Sequence, residues 1–266
     1  MNKLLDTAVE AARLAGRTAL EMIGSAKTSI KNNSELVTEA DKRCQQRVIE
    51  MVHSRFPDHG FIGEEGEAGR LFKEPPRSAA DPWWIIDPID GTNNFAFGLP
   101  QFSVSLGVMQ HGRPIAGVIY DPSTDRLYTA SDRQGPEENG APIQTSDQDL
   151  NPYGCVGLDS HFGPTIPPWI CRVMVLGRFR NIGTTALHLA YVAKGGYVAS
   201  ILSTPKLWDI AAGTLIAERA GAVVTDWKGQ SLWPVDLEAY RGEPLCAVVG
   251  SERAHARIMG LMAQFP

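Results

Sequence analysis

The chain has 266 residues, 43% of them hydrophobic and 21% charged, and a chain of that size can bury roughly 70–75% of its unfolded surface in one large domain or two lobes without disulfides. Cys44, Cys155, Cys171 and Cys246 stand far apart with no C-x-x-C pair, and Asp6, Glu10 and Arg13 break the Ala-rich N-terminal stretch; this excludes a disulfide framework, a signal core and a membrane span there, and sets reduced, mostly buried thiols and a cytoplasmic location as the expectation. A formal net charge of -5 with scattered Lys and Arg leaves no footprint for a phosphate backbone, so neither nucleic acid nor membrane is expected as a partner.

Apolar residues recur at helical spacing over 4–23 (Leu4, Ala8, Ala12, Ala15, Ala19, Met22), which predicts an amphipathic opening helix. A second helix is predicted from Thr38. Thr38-Glu39-Ala40-Asp41 has the form of a capping box, and Cys44, Val48, Met51, Val52 and Phe56 form an apolar stripe that Pro57 stops. Asp41 therefore has a structural explanation ready. Phe61-Ile62 ahead of Glu64, and Trp83-Trp84-Ile85-Ile86 ahead of Asp87, read as buried strands that end in carboxylates. Sites are usually built on loops at such strand ends. Segments 102–108, 115–120 and 127–130 alternate, separated by His111-Gly112-Arg113-Pro114 and Asp121-Pro122-Ser123, which predicts an antiparallel meander; Asn139-Gly140 marks a further tight turn.

The second half reads as alternating α/β: a strand at 155–158, a helix at 184–194, a strand at 197–201, a helix at 209–220, strands at 222–225 and 247–249, and a closing helix. The softest boundary lies at 146–152, where Asp, Gln, Asn and Pro accumulate. It divides the chain into an α+β lobe at 1–147 and an α/β lobe at 148–266, with a cleft between them.

The densest chemistry is Ile86-Asp87-Pro88-Ile89-Asp90-Gly91-Thr92-Asn93-Asn94-Phe95. Asp87 and Asp90 can present hard oxygen donors to Mg2+, and the amides of Gly91 and Thr92 at a helix start can receive a phosphate. Asp-Gly-Thr is also ordinary turn chemistry. Glu64-Glu65 taken alone reads as solvated charge, and Asp209 before Ile210-Ala211-Ala212 as a helix N-cap worth ~1 kcal/mol. Against three separate structural explanations stands one shared pattern: carboxylate segments far apart in sequence all sit beside apolar runs, with Asp41 as a fourth.

Gly63-Glu64-Glu65, Trp84-Ile85-Ile86-Asp87-Pro88-Ile89-Asp90-Gly91-Thr92-Asn93-Asn94-Phe95 and Trp208-Asp209-Ile210-Ala211-Ala212-Gly213 resemble the signatures of the inositol monophosphatase family. Leu36-Val37-Thr38-Glu39-Ala40-Asp41 and Glu218-Arg219-Ala220-Gly221-Ala222 carry the resemblance along the chain in the same order. It implies a fold of α+β and α/β parts, a layered alternating helix/sheet sandwich of the sugar-phosphatase type, with the site at the junction of the lobes, and a homodimer. It also implies lithium-sensitive, Mg2+-dependent hydrolysis of a small phosphate monoester, a polyol or sugar phosphate, by metal-activated water. One Mg2+ would be held by Glu64, Asp87 and the backbone carbonyl of Ile89, a second by Asp87, Asp90 and Asp209, and a weaker third near Glu64. Paired metals roughly 3.5–4 Å apart can polarise the phosphate, supply hydroxide and stabilise the leaving alkoxide. Glu64, Thr92 and Asp41 are the catalytic residues so implied, Thr92 orienting the water and bonded in turn to Asp41. Asp90, Gly91, Thr92, Thr184 and Asp209 are the implied substrate contacts. Thr184 has a plain helix N-cap as its alternative. Lys31 matches a family lysine near the metals loosely, with an exposed lysine as the simpler reading.

The resemblance has departures. Leu202 stands where members acting on inositol phosphates carry a glutamate for sugar hydroxyls, and leucine cannot accept those hydrogen bonds. Segment 158–180 is shorter than usual, with Gly163-Pro164 and Pro167-Pro168 interrupting a helix. Asn93-Asn94 in place of Lys-Glu argues against a nucleotide substrate. Histidinol-phosphate and fructose-bisphosphate phosphatases share the fold and are the alternative enzymes; a regulatory or binding protein on the phosphatase scaffold is the alternative of another class. His53, His59, His111, His161, His188 and His255 are scattered, which gives no support to a zinc site or a metal-independent hydrolase.

Overall fold

The computed structural model describes residues 3–25, 27–31, 35–159, 162 and 165–265. The chain opens with α1 (Lys3–Met22), an antiparallel ribbon of β1 (Thr28–Lys31) and β2 (Glu35–Thr38), and α2 (Glu39–Arg55). The capping box forms as expected. The Thr38 hydroxyl accepts the Ala40 amide at 3.2 Å, and Asp41 Oδ2 accepts the Thr38 amide at 2.8 Å. Then come β3 (Gly60–Gly63), a 3-10 turn at Glu67–Gly69, β4 (Phe72–Glu74), β5 (Trp83–Asp90) and α3 (Thr92–Ala96). The meander β6 (Ser103–Gln110), β7 (Arg113–Asp121), β8 (Arg126–Ser131) and the hairpin β9 (Glu137–Glu138), β10 (Ala141–Pro142) follow. They form one eight-stranded sheet in the order β10-β9-β8-β7-β6-β5-β3-β4, antiparallel except where β3 meets β5.

The rest of the chain supplies β11 (Cys155–Leu158), α4 (Pro168–Leu176), β12 (Arg178–Arg180), α5 (Thr185–Ala193), β13 (Ala199–Leu202), α6 (Leu207–Arg219), β14 (Val223–Thr225), β15 (Ala247–Gly250) and α7 (Glu252–Gln264). Its five strands form a second, mixed sheet in the order β12-β11-β13-β15-β14.

Alternation along buried β5 explains the layering. Trp84 and Ile86 pack with Phe61, Val104, Leu106 and the alanines of α1 on one face, while Trp83 and Ile85 join Ile62, Met109 and Ile119 against α5 and α6 on the other. The second sheet also has two apolar faces. Leu202, Ala247 and Val249 pack toward α5 and α6, and Val156, Ile201 and Val248 toward α4 and α7. The layers thus run helix, sheet, helix, sheet, helix, the layered sandwich that the resemblance implies. One apolar cluster between the sheets contains both Ile85 and Val249.

The seat of α6 on the first sheet is unusually close. A Cβ on Gly107 would stand 2.9 Å from the Ala211 Cβ, and one on Gly117 2.7 Å from the Ala212 carbonyl oxygen. Glycine on β6 and β7 facing alanine on α6 therefore sets the height of the helix that carries Asp209.

Several expectations change. β5 does not end before Asp87; it runs to Asp90, with a register shift against β6 between the two aspartates. α6 starts at Leu207, so Asp209 is no N-cap: it sits in the first turn and its Oδ2 accepts the Lys206 amide at 2.5 Å. Pro167-Pro168 starts α4 instead of interrupting a helix, because a proline in the first turn lacks only an N–H that the helix could not use. Gly163-Pro164 and His161 lie outside the described residues. The four cysteines are free as expected, but only Cys44 is fully buried and Cys171 is exposed. No described helix is long and apolar enough to cross a membrane.

Candidate active site

Asp87 and Asp90 come from the irregular end of β5 and Asp209 from the first turn of α6, and one carboxylate oxygen of each lies within 4.8 Å of the others. Asp87 and Asp90 are buried and Asp209 is partly so. Burial drives the Asp87 carboxyl far above its ordinary range, helped by the charges of Glu64, Asp90 and Asp209. Burial and then the Asp90 charge push Asp209 up to about 7, against the opposing hydrogen bonds from the Lys206 amide and Asp87. For Asp90 burial outweighs its hydrogen bonds and leaves the carboxyl at about 6. Among the described residues no salt bridge involves these three acids. Hard oxygen donors crowded at such cost, without a protein cation paired to them, suit a hard divalent ion, and Mg2+ fits the set.

Asp90 is also the most heavily tied of the three. Its Oδ2 accepts the Ala186 amide at 2.7 Å, the Ser103 hydroxyl at 3.2 Å and a very short bond from the Thr184 hydroxyl, and its Oδ1 accepts the Thr185 amide at 3.2 Å. Thr184 in turn caps α5. Its N-cap reading is thus met, and the same hydroxyl bonds Asp90. Gly91 takes φ +99, and a Cβ there would come within 3.0 Å of the Gln101 carbonyl oxygen and 3.1 Å of that of Gly183. Asn94 straps the same loops, its Nδ2 donating to the carbonyls of Gln101 at 2.7 Å and Ile182 at 2.8 Å.

Asp41 divides its two oxygens. Oδ2 serves the capping box, whereas Oδ1 stands 3.1 Å from the Thr92 hydroxyl, which is also 3.0 Å from the Ile89 carbonyl oxygen. Burial raises Asp41 to about 6 despite its hydrogen bonds from Thr38. Glu64 lines a cavity with Asp209 and adds its charge at Asp87. Its neighbour Glu65 is buried, contrary to a solvated pair, and its backbone is clamped by Gln45: Nε2 donates to the Glu65 carbonyl at 2.7 Å, and Oε1 accepts the Glu65 amide at 3.0 Å. Lys31 ends β1; its side chain lies outside the described residues. Leu202 is wholly buried in the core between the sheets.

Two cavities adjoin the cluster at Asp209. One, of about 680 Å³, is polar, with Asn93, Gln101, Asp159, Thr184 and His188 in its wall. The other, of about 870 Å³, contains Glu64 and a group of cations, and Asp209 and Thr204 line both. The sequence reading did not single out Gln45, Ser103 or Asp159. Asp159 Oδ2 accepts the Ser203 amide at 2.7 Å, and its charge contributes to raising Asp209. His188 stays neutral, held at about 4 by burial, with Nε2 accepting the Ile182 amide at 3.2 Å.

A model of the inositol monophosphatase family matches residues 1–264. A Pasteurella multocida protein named Nus factor SuhB is 36% identical over 240 residues, covering 86% of this chain and 87% of the relative. Inositol monophosphatase 3 of Solanum lycopersicum is 35% identical over 250 residues, covering 91% of each. Among solved structures, the Thermotoga maritima IMPase is similar at a TM-score of 0.82 and 28% identity, over 99% of this chain and 98% of that one.

Proposed function

Because this chain belongs to the inositol monophosphatase family, we propose that it is a Mg2+-dependent phosphatase that hydrolyses a small phosphate monoester by direct attack of water. The observation that carries the proposal is the cluster of Asp87, Asp90 and Asp209, assembled from two distant segments at a high electrostatic cost. Glu64, Asp87 and the Ile89 carbonyl would hold one Mg2+, and Asp87, Asp90 and Asp209 a second. Bound there, the ions supply charge neutralisation for the phosphate and the leaving oxygen and hydroxide near neutral pH.

The chain's own groups do the positioning. Above about pH 6 Asp41 is ionised and accepts the Thr92 hydroxyl proton, so a Thr92 lone pair is left to accept a hydrogen from the attacking water and fix its direction. The amides of Gly91 and Thr92 would receive phosphate oxygens at the start of α3. The leaving group would lie beside Asp209 and Thr204, which line both cavities; in the polar one Thr184, Asn93 and Asp159 offer hydrogen-bonding partners. A polyol or sugar phosphate suits that wall, although buried Leu202 offers no acceptor for its hydroxyls. A cytoplasmic homodimer, inhibited by lithium, belongs to the same proposal.

The test is inorganic phosphate release from inositol, glycerol, fructose, histidinol and nucleotide phosphates with Mg2+, with EDTA and with added Li+. Release from one ester that stops in EDTA is the expected result; Mg2+ binding by folded protein without release from any ester would favour the second reading, a regulatory role. That reading is favoured by the Nus factor name of the Pasteurella multocida relative. An Asp90→Asn gene that restores a deletion phenotype would point the same way.

A further inference from the structure

The larger cavity shares Asp209 and Thr204 with the polar one, and Glu64 stands in its wall. Beside those two acids and Glu67, and among neutral residues such as Leu71, Phe72 and Trp208, its lining carries four cations: Arg70 ahead of β4, Lys73 on β4, Lys206 ahead of α6, and Arg241 in the segment before β15. Among the described residues none of the four forms a salt bridge. Lys73 Nζ donates to the carbonyls of Glu238 at 2.8 Å and Tyr240 at 3.0 Å, and Arg241 Nη1 donates to the same two at 2.6 and 2.9 Å. Lys206 Nζ donates to the Gly242 carbonyl at 2.6 Å. Two cations are thus gathered on one pair of neutral acceptors, and a third reaches the next turn of the same segment.

Cations on a solvated face spread apart or pair with acids, since like charges held close repel. At Lys73 burial and then the Arg241 charge disfavour the ammonium, and Asp236, Glu238 and Glu243 offset this only in part. With Glu64 and Asp209 engaged by metal, Glu67 is the one acid left among the lining residues against four cations. The lysine head is also fixed in advance, its Nζ 5.7 Å from the Trp83 ring centroid and tied to two carbonyls. A positioned donor loses little freedom when a ligand arrives.

We propose that this cavity receives a second anionic group, phosphate or carboxylate, of a substrate whose ester phosphate sits at Asp87, Asp90 and Asp209. The inference rests on the phosphatase reading for the position of the first phosphate. It narrows the substrate class to small molecules with two anionic ends, the ester at the carboxylates and the second anion among Arg70, Lys73, Lys206 and Arg241.

Non-hydrolysable probes separate the two ideas. Propylphosphonate, ethylene, propylene and butylene bisphosphonates and 4-phosphonobutyrate are titrated calorimetrically into the full chain in Mg2+. Wild type should bind one of the doubly anionic probes about tenfold or more tighter than propylphosphonate, as charge-assisted hydrogen bonds provide. The ratio should fall to about 2 or less in Lys73→Met/Arg241→Met, and in part in Arg70→Ala, an exposed side chain that holds no other element, with melting curves confirming folded protein. Equal affinity for all probes in wild type, or an undiminished ratio in both variants, overturns the proposal. Absence of phosphate release from every ester would defeat the phosphatase reading instead, while the calorimetric ratio still reports on the basic wall.

Discussion

The Asp90 carboxylate lies across the first turn of α5, where its Oδ2 accepts the Ala186 amide at 2.7 Å. A residue at the end of the first sheet thereby closes the N-terminus of a helix in the second half, where a negative charge is favoured. Asp87, three residues earlier, faces carboxylates instead. The same change should therefore act in opposite directions at the two positions.

Asp90→Asn should retain the fold yet lose phosphate release by on the order of 10³-fold or more, since a charge facing the metals disappears. It should also cost about 1–3 kcal/mol, because the new Nδ2 meets donors where an oxygen accepted them. Urea unfolding and phosphate assays of the purified variant give both numbers; turnover near wild type would remove Asp90 from the metal site.

Asp87→Asn should stabilise the protein in EDTA. Its Oδ1 can still accept the Ile89 amide while Nδ2 donates to Asp209, ending the cost of keeping a proton on a buried acid. A gain of about 1 kcal/mol corresponds to a melting temperature ~2–4 °C higher for a chain of this size. The rise in melting temperature that Mg2+ gives wild type should vanish in the variant.

Stability in EDTA should fall as pH rises from 5 to 8. Asp41 and Asp90 hold protons up to about 6 and Asp209 up to about 7, against an ordinary 3.8. The folded state thus binds more protons than the unfolded chain, so their contribution is complete below about pH 4 and lost as pH passes through 6 to 7. Saturating Mg2+ should flatten or reverse that decline, because it takes the ionised carboxylates. Calorimetric melting across the range decides it; a rise between pH 5 and 8 in EDTA is the contrary result.

Thr92→Ala should lower kcat by about 10²–10⁴-fold with little change in KM, the scale expected when a proton acceptor for the attacking water is lost. Thr92→Ser keeps the hydroxyl near Asp41 and should recover most of the rate. Equal losses in both variants would speak for packing by the Thr92 methyl group.

Gly117→Ala should cost about 1–3 kcal/mol in urea unfolding, because the new methyl must displace α6. Phosphate release should fall as well, since Asp209 rides on that helix. Stability lost with undiminished activity would show that Asp209 does not depend on the seat of α6.

Much of this was legible in the chain where the cause is local. The Thr38 to Asp41 box lies within one helical turn, and the apolar run Trp83 to Ile86 announces a buried strand whatever surrounds it. The joint presence of Glu64, Asp87, Asp90 and Asp209 beside apolar runs pointed to an acidic cluster, because isolated caps do not require such a pattern, and the structure brings Asp87, Asp90 and Asp209 together. The missed features depend on partners distant in sequence. Gln45 looks like any polar helix residue until the Glu65 backbone is placed against it, and Asp159 gains meaning only beside Ser203 and Asp209. The start of α6 was misjudged for a related reason: an aspartate in the first turn bonding back to Lys206 has the same local signature as an N-cap.

The glycine and alanine contact between Gly107, Gly117 and α6 has a consequence for how a protein built this way can change. Asp209 rides on this close-packed seam and Asp87 and Asp90 on the end of β5, whereas the two cavity walls are drawn largely from connecting segments such as 66–71, 97–101, 181–184 and 240–242. The acidic cluster and the walls that would meet a ligand are therefore specified by different parts of the chain. If the chain is the proposed phosphatase, exchanging side chains in those segments other than Thr184, which bonds Asp90, would redirect it to a new ester, while one added methyl on the seam would lower hydrolysis of every ester at once.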